Sequence, residues 1–267
     1  MSKIHPSCYI HETAEISDNV EIQPFAYIGE NVKISTGAKI FSGAHLEYCE
    51  IGENTIIATG AVIGTPPQDT GYKNENTKVV IGKNCSIREH VTVNRASGEG
   101  NATKIGDNCM IMTGAHIAHN CELGNNVILA NLVTLAGHVH VGEFAFIGGM
   151  VVVHQNVRIG EMTIMGGFSG TRQDIPPFAK TDGRPARIVG TNVIGLRRRG
   201  LNQEERTAVK NAYKYIWFSG LTTSQALEKI KTEIPTNHHV DMLINFIETS
   251  KRGVTKLSGK QEIEADS

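Results

Sequence analysis

The stretch IGDNCMIMTGAHIAHNCELGNNVILANLVTL, residues 105–135, carries an aliphatic residue at every sixth position: Ile105, Ile111, Ile117, Leu123, Leu129 and Leu135. Reading outward toward the C-terminus, Val141, Ile147, Val153, Ile159 and Met165 continue the series without a break. Toward the N-terminus it reappears at Ile81, Ile87 and Val93, and again from Ile4 through Ile10, Ile16, Ile22, Ile28, Ile34, Ile40 and Leu46. There the step slips to five, and Ile51, Ile57 and Ile63 follow. In a chain that is 40% hydrophobic, nineteen rungs in two unbroken runs would arise by chance with odds of roughly 10⁻⁸, so the period is structural. A helix repeats every 3.6 residues and an amphipathic strand every 2; neither makes a sixfold ladder. Hexads mean a solenoid of short parallel strands, three hexads to a coil, each coil bonded to the next at about 4.8 Å.

Small residues such as Ala26, Ala38, Ala61, Cys109, Ala115 and Cys121 stand two positions before many rungs, as tight interior corners require. Cys49, Cys85, Cys109 and Cys121 share that position, and no C-x-x-C pair exists, so the five cysteines read as core filler rather than a disulfide framework or zinc site. The chain is long enough to bury a core without staples. Its 26 Lys and Arg against 27 Asp and Glu leave no global field that would favour nucleic acid or a membrane surface. No apolar run has the length of a signal peptide or a membrane span, which predicts a cytoplasmic protein without stable membrane insertion.

The expected domains are a β-helix over 1–190, with loop excursions at 65–78 and 96–102, and a linker plus α-helical domain over 191–267. The excursions are rich in Pro, Gly, Asn, Asp and Glu and break the ladder. Asn202 and Glu205 form a capping-box pattern opening a helix with Val209, Ala212, Tyr213 and Ile216 on one face, ended by Gly220. A second helix is expected around Ala226, Leu227 and Ile230, and a third around Leu243, Ile244 and Ile247. The tail from Thr255 is polar and expected to fray.

Five of eleven histidines fall between residues 116 and 154. Ile117, Leu135 and Val153 are eighteen apart and therefore stack on successive coils. Against those rungs His116 stands at −1, His119 at +2, His138 at +3 and His154 at +1, so four imidazoles line one edge over about 10 Å. Three chemistries compete for them: an accidental surface cluster, zinc binding as in a metal-dependent hydratase, and acyl transfer in which a neutral histidine acts as general base. A non-catalytic β-helix also remains open at this stage.

The ladder resembles the hexapeptide-repeat acyltransferases, whose coils wind left-handed into a trimeric triangular prism; the handedness expected here comes from that resemblance. More specifically, Ala115-His116-Ile117-Ala118-His119-Asn120-Cys121, Leu135-Ala136-Gly137-His138, Val153-His154-Gln155 and Asn192-x-x-Gly195-Leu196-Arg197-Arg198-Arg199-Gly200 resemble the UDP-N-acetylglucosamine acyltransferases of lipid A biosynthesis, over nearly the whole chain. The resemblance implies transfer of a 3-hydroxyacyl chain from acyl carrier protein to the 3-position of a UDP-sugar by a homotrimer. It assigns His119 as base and the Gly137 N–H as oxyanion donor, with Gln68, Asp69, His116, His138, His154, Gln155, Asn192 and Arg198 binding substrates. Gly167 stands at the position that sets acyl length, leaving room for a long chain. No metal or diffusible cofactor is implied.

Three residues depart from the pattern. Asn120 replaces an aspartate, Gly71 a frequent lysine, with Lys73 nearby, and Ile194 a glutamate. A 3-amino UDP-sugar, acylated on nitrogen, therefore stays open as the acceptor. The related N-acyltransferases of the same pathway carry an N-terminal uridine-binding domain, for which repeats starting at Ile4 leave no room.

Overall fold

Each rung of the ladder ends a two- to four-residue strand, and these strands stack in parallel in three sheets in the computed structural model, which describes residues 2–235 and 237–257. The first sheet has eleven strands, the second nine and the third eight. Consecutive strands visit the first, second and third sheet in turn, so pairing joins residues one coil apart: Ile117 to Leu135, Leu135 to Val153, and Ile111 to Leu129. This is the expected parallel β-helix. Every inward rung from Ile22 to Met165 is buried, each contributing about 1.5–3 kcal/mol through the hydrophobic effect. Ile4 and Ile10 are 42% and 36% exposed because no coil lies below the first.

The corner positions explain the small residues. Ala26, Ala38, Ala61, Cys85, Cys109, Ala115 and Cys121 are all buried at 2% exposure or less. The cysteines are core filler, as expected; Cys8 holds the same place in the first coil, two residues before Ile10, and is only half-buried. Each coil turns through left-handed residues, which Asn tolerates well and other side chains at a cost of about 1–2 kcal/mol. Leu132, Met150 and Phe168 adopt this conformation at φ 61°, 59° and 58°.

The ladder's breaks are loops, with two boundary corrections. Lys78 and Ala102, assigned to the loops from their composition, instead begin the strands Lys78–Ile81 and Ala102–Ile105, which pair residue for residue. Both excursions leave the corner between the second and third sheets. They are tied together by Gly100 N–H to Asn76 O at 3.1 Å and Asn76 N–H to Glu99 Oε2 at 3.1 Å. The first is pinned to the prism by Arg95, whose buried guanidinium reaches Glu47 at 3.2 Å, the Tyr72 hydroxyl at 3.0 Å and the Gly64 carbonyl at 3.0 Å.

Beyond Met165 the first sheet closes with Ala179–Asp182 and Arg187–Thr191, an antiparallel pair whose register shifts. Four helices follow among the described residues: α1 (Val193–Arg198), α2 (Gln203–Phe218), α3 (Thr223–Glu233) and α4 (His238–Glu248). The capping box of α2 forms as read, with Asn202 and Glu205 bonded reciprocally. The other two expected helices are α3 and α4. Helix α1 occupies part of the expected linker. Tyr213 of α2 is buried and donates its hydroxyl to the Pro177 carbonyl, seating the helices over the end of the solenoid.

The expected fraying at Thr255 is corrected. Thr255 is 1% exposed, its N–H donates to Asp174 O at 2.9 Å and its hydroxyl to Ala186 O at 2.6 Å, so residues 250–257 form a strap across the last coil. Residues 258–267, the remainder of that expected tail, lie outside the described residues.

Candidate active site on the histidine edge

The corner between the second and third sheets gathers most of the expected site. His119 follows the strand His116–Ile117, and Gly137 and Gln155 occupy the same place one and two coils on. A Cβ built on Gly137 would lie 2.6 Å from His119 Nε2, so the glycine backbone forms the floor beneath that nitrogen. Gly137 N–H makes no hydrogen bond among the described residues. His138 meets His119 edge to face, with ring centroids 5.1 Å apart.

Asn120, the departure from the pattern, fixes the proton on the neighbouring imidazole. Its carboxamide orientation is set by backbone groups of fixed identity: Ser97 N–H donates to Oδ1 at 2.9 Å, and Nδ2 donates to Ser97 O at 3.0 Å. Oδ1 also lies 2.8 Å from His119 Nδ1. An amide oxygen only accepts, so His119 carries its proton on Nδ1 and presents a lone pair from Nε2. An aspartate there would hold the ring the same way with a charge added; asparagine supplies the orientation alone. Ser97 and the Thr103 hydroxyl, which accepts from Asn120 N–H at 2.9 Å, complete the support. The sequence carries no signal for these two.

His116 sits on the outer face of the second sheet beside this corner, half-buried, with Nδ1 2.7 Å from Thr92 Oγ1. Burial pushes its pKa below the ordinary imidazole value. His138 is lowered too, by burial first and then by the neighbouring His119 and His140, while Asp69 on the first excursion opposes the shift. Asp69 is thereby brought to the edge, its carboxylate also accepting from Gly71 N–H at 2.9 Å; Gln68 is exposed beside it. Protonation of a histidine whose folded pKa is depressed costs folding energy, so stability is lost as pH falls through the imidazole range. An NMR titration should give His116 and His138 midpoints below about 6.5, with Asp69→Asn moving His138 lower still. Midpoints at or above that value would refute the burial argument.

Other expected residues lie elsewhere. Asn192 is buried, its Oδ1 accepting from Gly195 N–H at 2.9 Å to cap α1 and its Nδ2 donating to Met162 O at 2.7 Å. Arg198 is exposed at the end of α1, and its neighbour Arg199 stacks on Phe144 at 3.8 Å, at the corner between the third and first sheets. Gly167 lies at the remaining corner, between the first and second sheets, where a Cβ would approach Gly149 O at 3.3 Å. Along that corner Gly148, Gly149, Gly166 and Gly167 form a side-chain-free floor. Leu132, Met150 and Phe168 stand beside it, 48%, 42% and 68% exposed. His154 and Gln155 are on the histidine edge, toward its C-terminal end.

A hexapeptide solenoid with an imidazole poised over a glycine corner defines a transferase-type β-helix. In agreement, residues 102–137 match the bacterial transferase hexapeptide model, 174–255 match UDP-N-acetylglucosamine O-acyltransferase domain 2, and 4–97 match the GMPPB C-terminal domain. The acyl-(acyl-carrier-protein)–UDP-N-acetylglucosamine O-acyltransferase of Thermodesulfovibrio yellowstonii is 46% identical over 96% of this chain and 100% of its own length. Among solved structures, LpxA from Acinetobacter baumannii superposes with a TM-score of 0.91 at 38% identity, over 95% of this chain and 99% of that one. The UDP-N-acetylglucosamine acyltransferase of Campylobacter jejuni gives 0.90 at 39%, over 96% and 100%. The chain belongs to the UDP-N-acetylglucosamine O-acyltransferase family.

Proposed function

We propose that this protein transfers a 3-hydroxyacyl chain from acyl carrier protein to the 3-hydroxyl of UDP-N-acetylglucosamine, the first step of lipid A biosynthesis, in the cytoplasm. The observation that carries the mechanism is the fixed tautomer of His119 above Gly137. Nε2 takes the sugar hydroxyl proton as the oxygen bonds to the thioester carbonyl carbon. The oxyanion forms beside the Gly137 N–H, which has no partner among the described residues and whose counterparts elsewhere are worth about 10²–10³ in rate. Collapse breaks the C–S bond, and the imidazolium returns its proton to the departing sulfur. His116, His138, Gln68 and Asp69 bind the sugar on the same edge, with His154 and Gln155 toward the donor. Asn192 acts here by positioning α1 and its arginines, since its own amide is spent on the cap, and Arg198 holds the nucleotide end.

Gly167 and the Arg198 cluster occupy different corners of one prism from His119. A complete site therefore draws on facing corners of neighbouring copies, and the glycine floor beside Leu132, Met150 and Phe168 would receive the acyl chain. That supports a homotrimer, whose sedimentation mass should be about three times 29.0 kDa; a mass of one chain would refute shared sites. The reaction is tested by following transfer from 3-hydroxyacyl carrier protein to UDP-N-acetylglucosamine and to its 3-amino analogue. Ester formation is expected. Turnover of the amino sugar alone would replace the acceptor, and turnover of neither, across several chain lengths, would overturn the reading.

A further inference from the structure

Three arginines stand near the C-terminal end of the histidine edge. Arg172 stands one coil beyond His154. Arg184 lies over Gly170, where a Cβ would come 3.5 Å from its side chain. Arg252 arrives from the strap: its Nε donates to Arg172 O at 2.9 Å and its Nη2 lies 3.3 Å from His154 Nδ1. None of the three pairs with a carboxylate among the described residues.

The strap that delivers Arg252 is held firmly. Asp174, 1% exposed, accepts from Ser250 Oγ at 2.8 Å and Arg158 N–H at 2.8 Å, and its backbone pairs with Gly253 O and Thr255 N. Trp217 Nε1 donates to Thr255 O at 3.1 Å. Arg252 is thus fixed in place, anchored through its Nε on the Arg172 carbonyl, while the contact of its Nη2 with His154 is a long one. The Gln155 carbonyl also lies 3.3 Å from His154 Nδ1. Arginine can only donate and a carbonyl can only accept, so one nitrogen cannot serve both. The Nη side of the guanidinium therefore has only a long, contested partner and is available for an anion. A planar fork beside a second cation suits phosphate oxygens.

We propose that Arg252, with Arg172 beside it, binds a substrate phosphoryl group, making the C-terminal strap part of the active site. The proposal rests on the reaction above, in which two substrates carry phosphate: the nucleotide's pyrophosphate and the carrier's phosphopantetheine arm. The test compares wild type, Arg252→Gln and Arg252→Lys in steady state with each substrate varied. For Arg252→Gln, KM for one substrate should rise about tenfold with kcat within twofold and an unchanged melting temperature, and the lysine variant should recover part of the loss. A rise for the acceptor identifies the pyrophosphate, and a rise for the donor the phosphopantetheine. Neither KM moving more than twofold would overturn the proposal, as would a general fall in kcat with a lowered melting temperature. Calorimetric titration with inorganic pyrophosphate needs no turnover. Weaker binding by Arg252→Gln would support the anion site even if the wild type acylated neither sugar, and equal binding by both proteins would count against it.

Discussion

His119→Ala should lower kcat by about 10²–10⁴, the usual worth of a positioned general base, while leaving the fold intact. The side chain is only half-buried and its one hydrogen-bonding partner network, Ser97 and Asn120, closes on itself without it. The loss should fall on kcat more than on the sugar's KM, because proton removal matters only as the transition state forms. Residual turnover should come from Gly137 N–H and substrate alignment, which do not depend on the imidazole. Steady-state kinetics with the acceptor varied decide it: a variant within fivefold of wild type would remove His119 from the mechanism.

Gly137→Ala is the second large effect, and it works through space rather than chemistry. The added methyl would meet His119 Nε2 at 2.6 Å and Cε1 at 2.7 Å, and Cδ2 at 3.2 Å, so the ring must swing off the site. The backbone there is not left-handed, so alanine brings no conformational strain. Nor does it remove the N–H. Displacing a catalytic group by about 1 Å costs on the order of 10² in rate, and that loss is expected with little change in melting temperature. A crystal structure of the variant should show the imidazole rotated away. An undisturbed His119 together with full activity would mean that the corner tolerates a side chain and that the close approach is incidental.

The ladder was legible because its period is strict: Ile111, Ile117 and Leu123 must face inward for the coil to close. The stacking of His119 over Gly137 follows from the same arithmetic, since eighteen residues make one coil. The excursions were legible in composition but not to the residue, because Lys78 and Ala102 look polar or neutral while their backbones pair. The hairpin Ala179–Thr191 carries no hexad, and its antiparallel pairing depends on contacts with Ile164–Met165 that no local pattern encodes. Helix α1 is six residues long, too short for a periodic signature, and Asn192 reads as a ligand when its local geometry is that of a cap. Arg252 reaches His154 across 98 positions of sequence. Nothing short of the folded chain brings those two together.

The stacked coils also limit how this molecule can move. Strands mostly two residues long, bonded above and below, give a rod with no interdomain hinge along the stretch that holds His119, Gly137 and Gln155. Neighbouring groups on that edge are separated by whole steps of about 4.8 Å, so evolution can relocate a function along it only in discrete increments. Substrates must conform to a fixed gauge, and whatever adaptation binding requires falls to the two excursions and the strap.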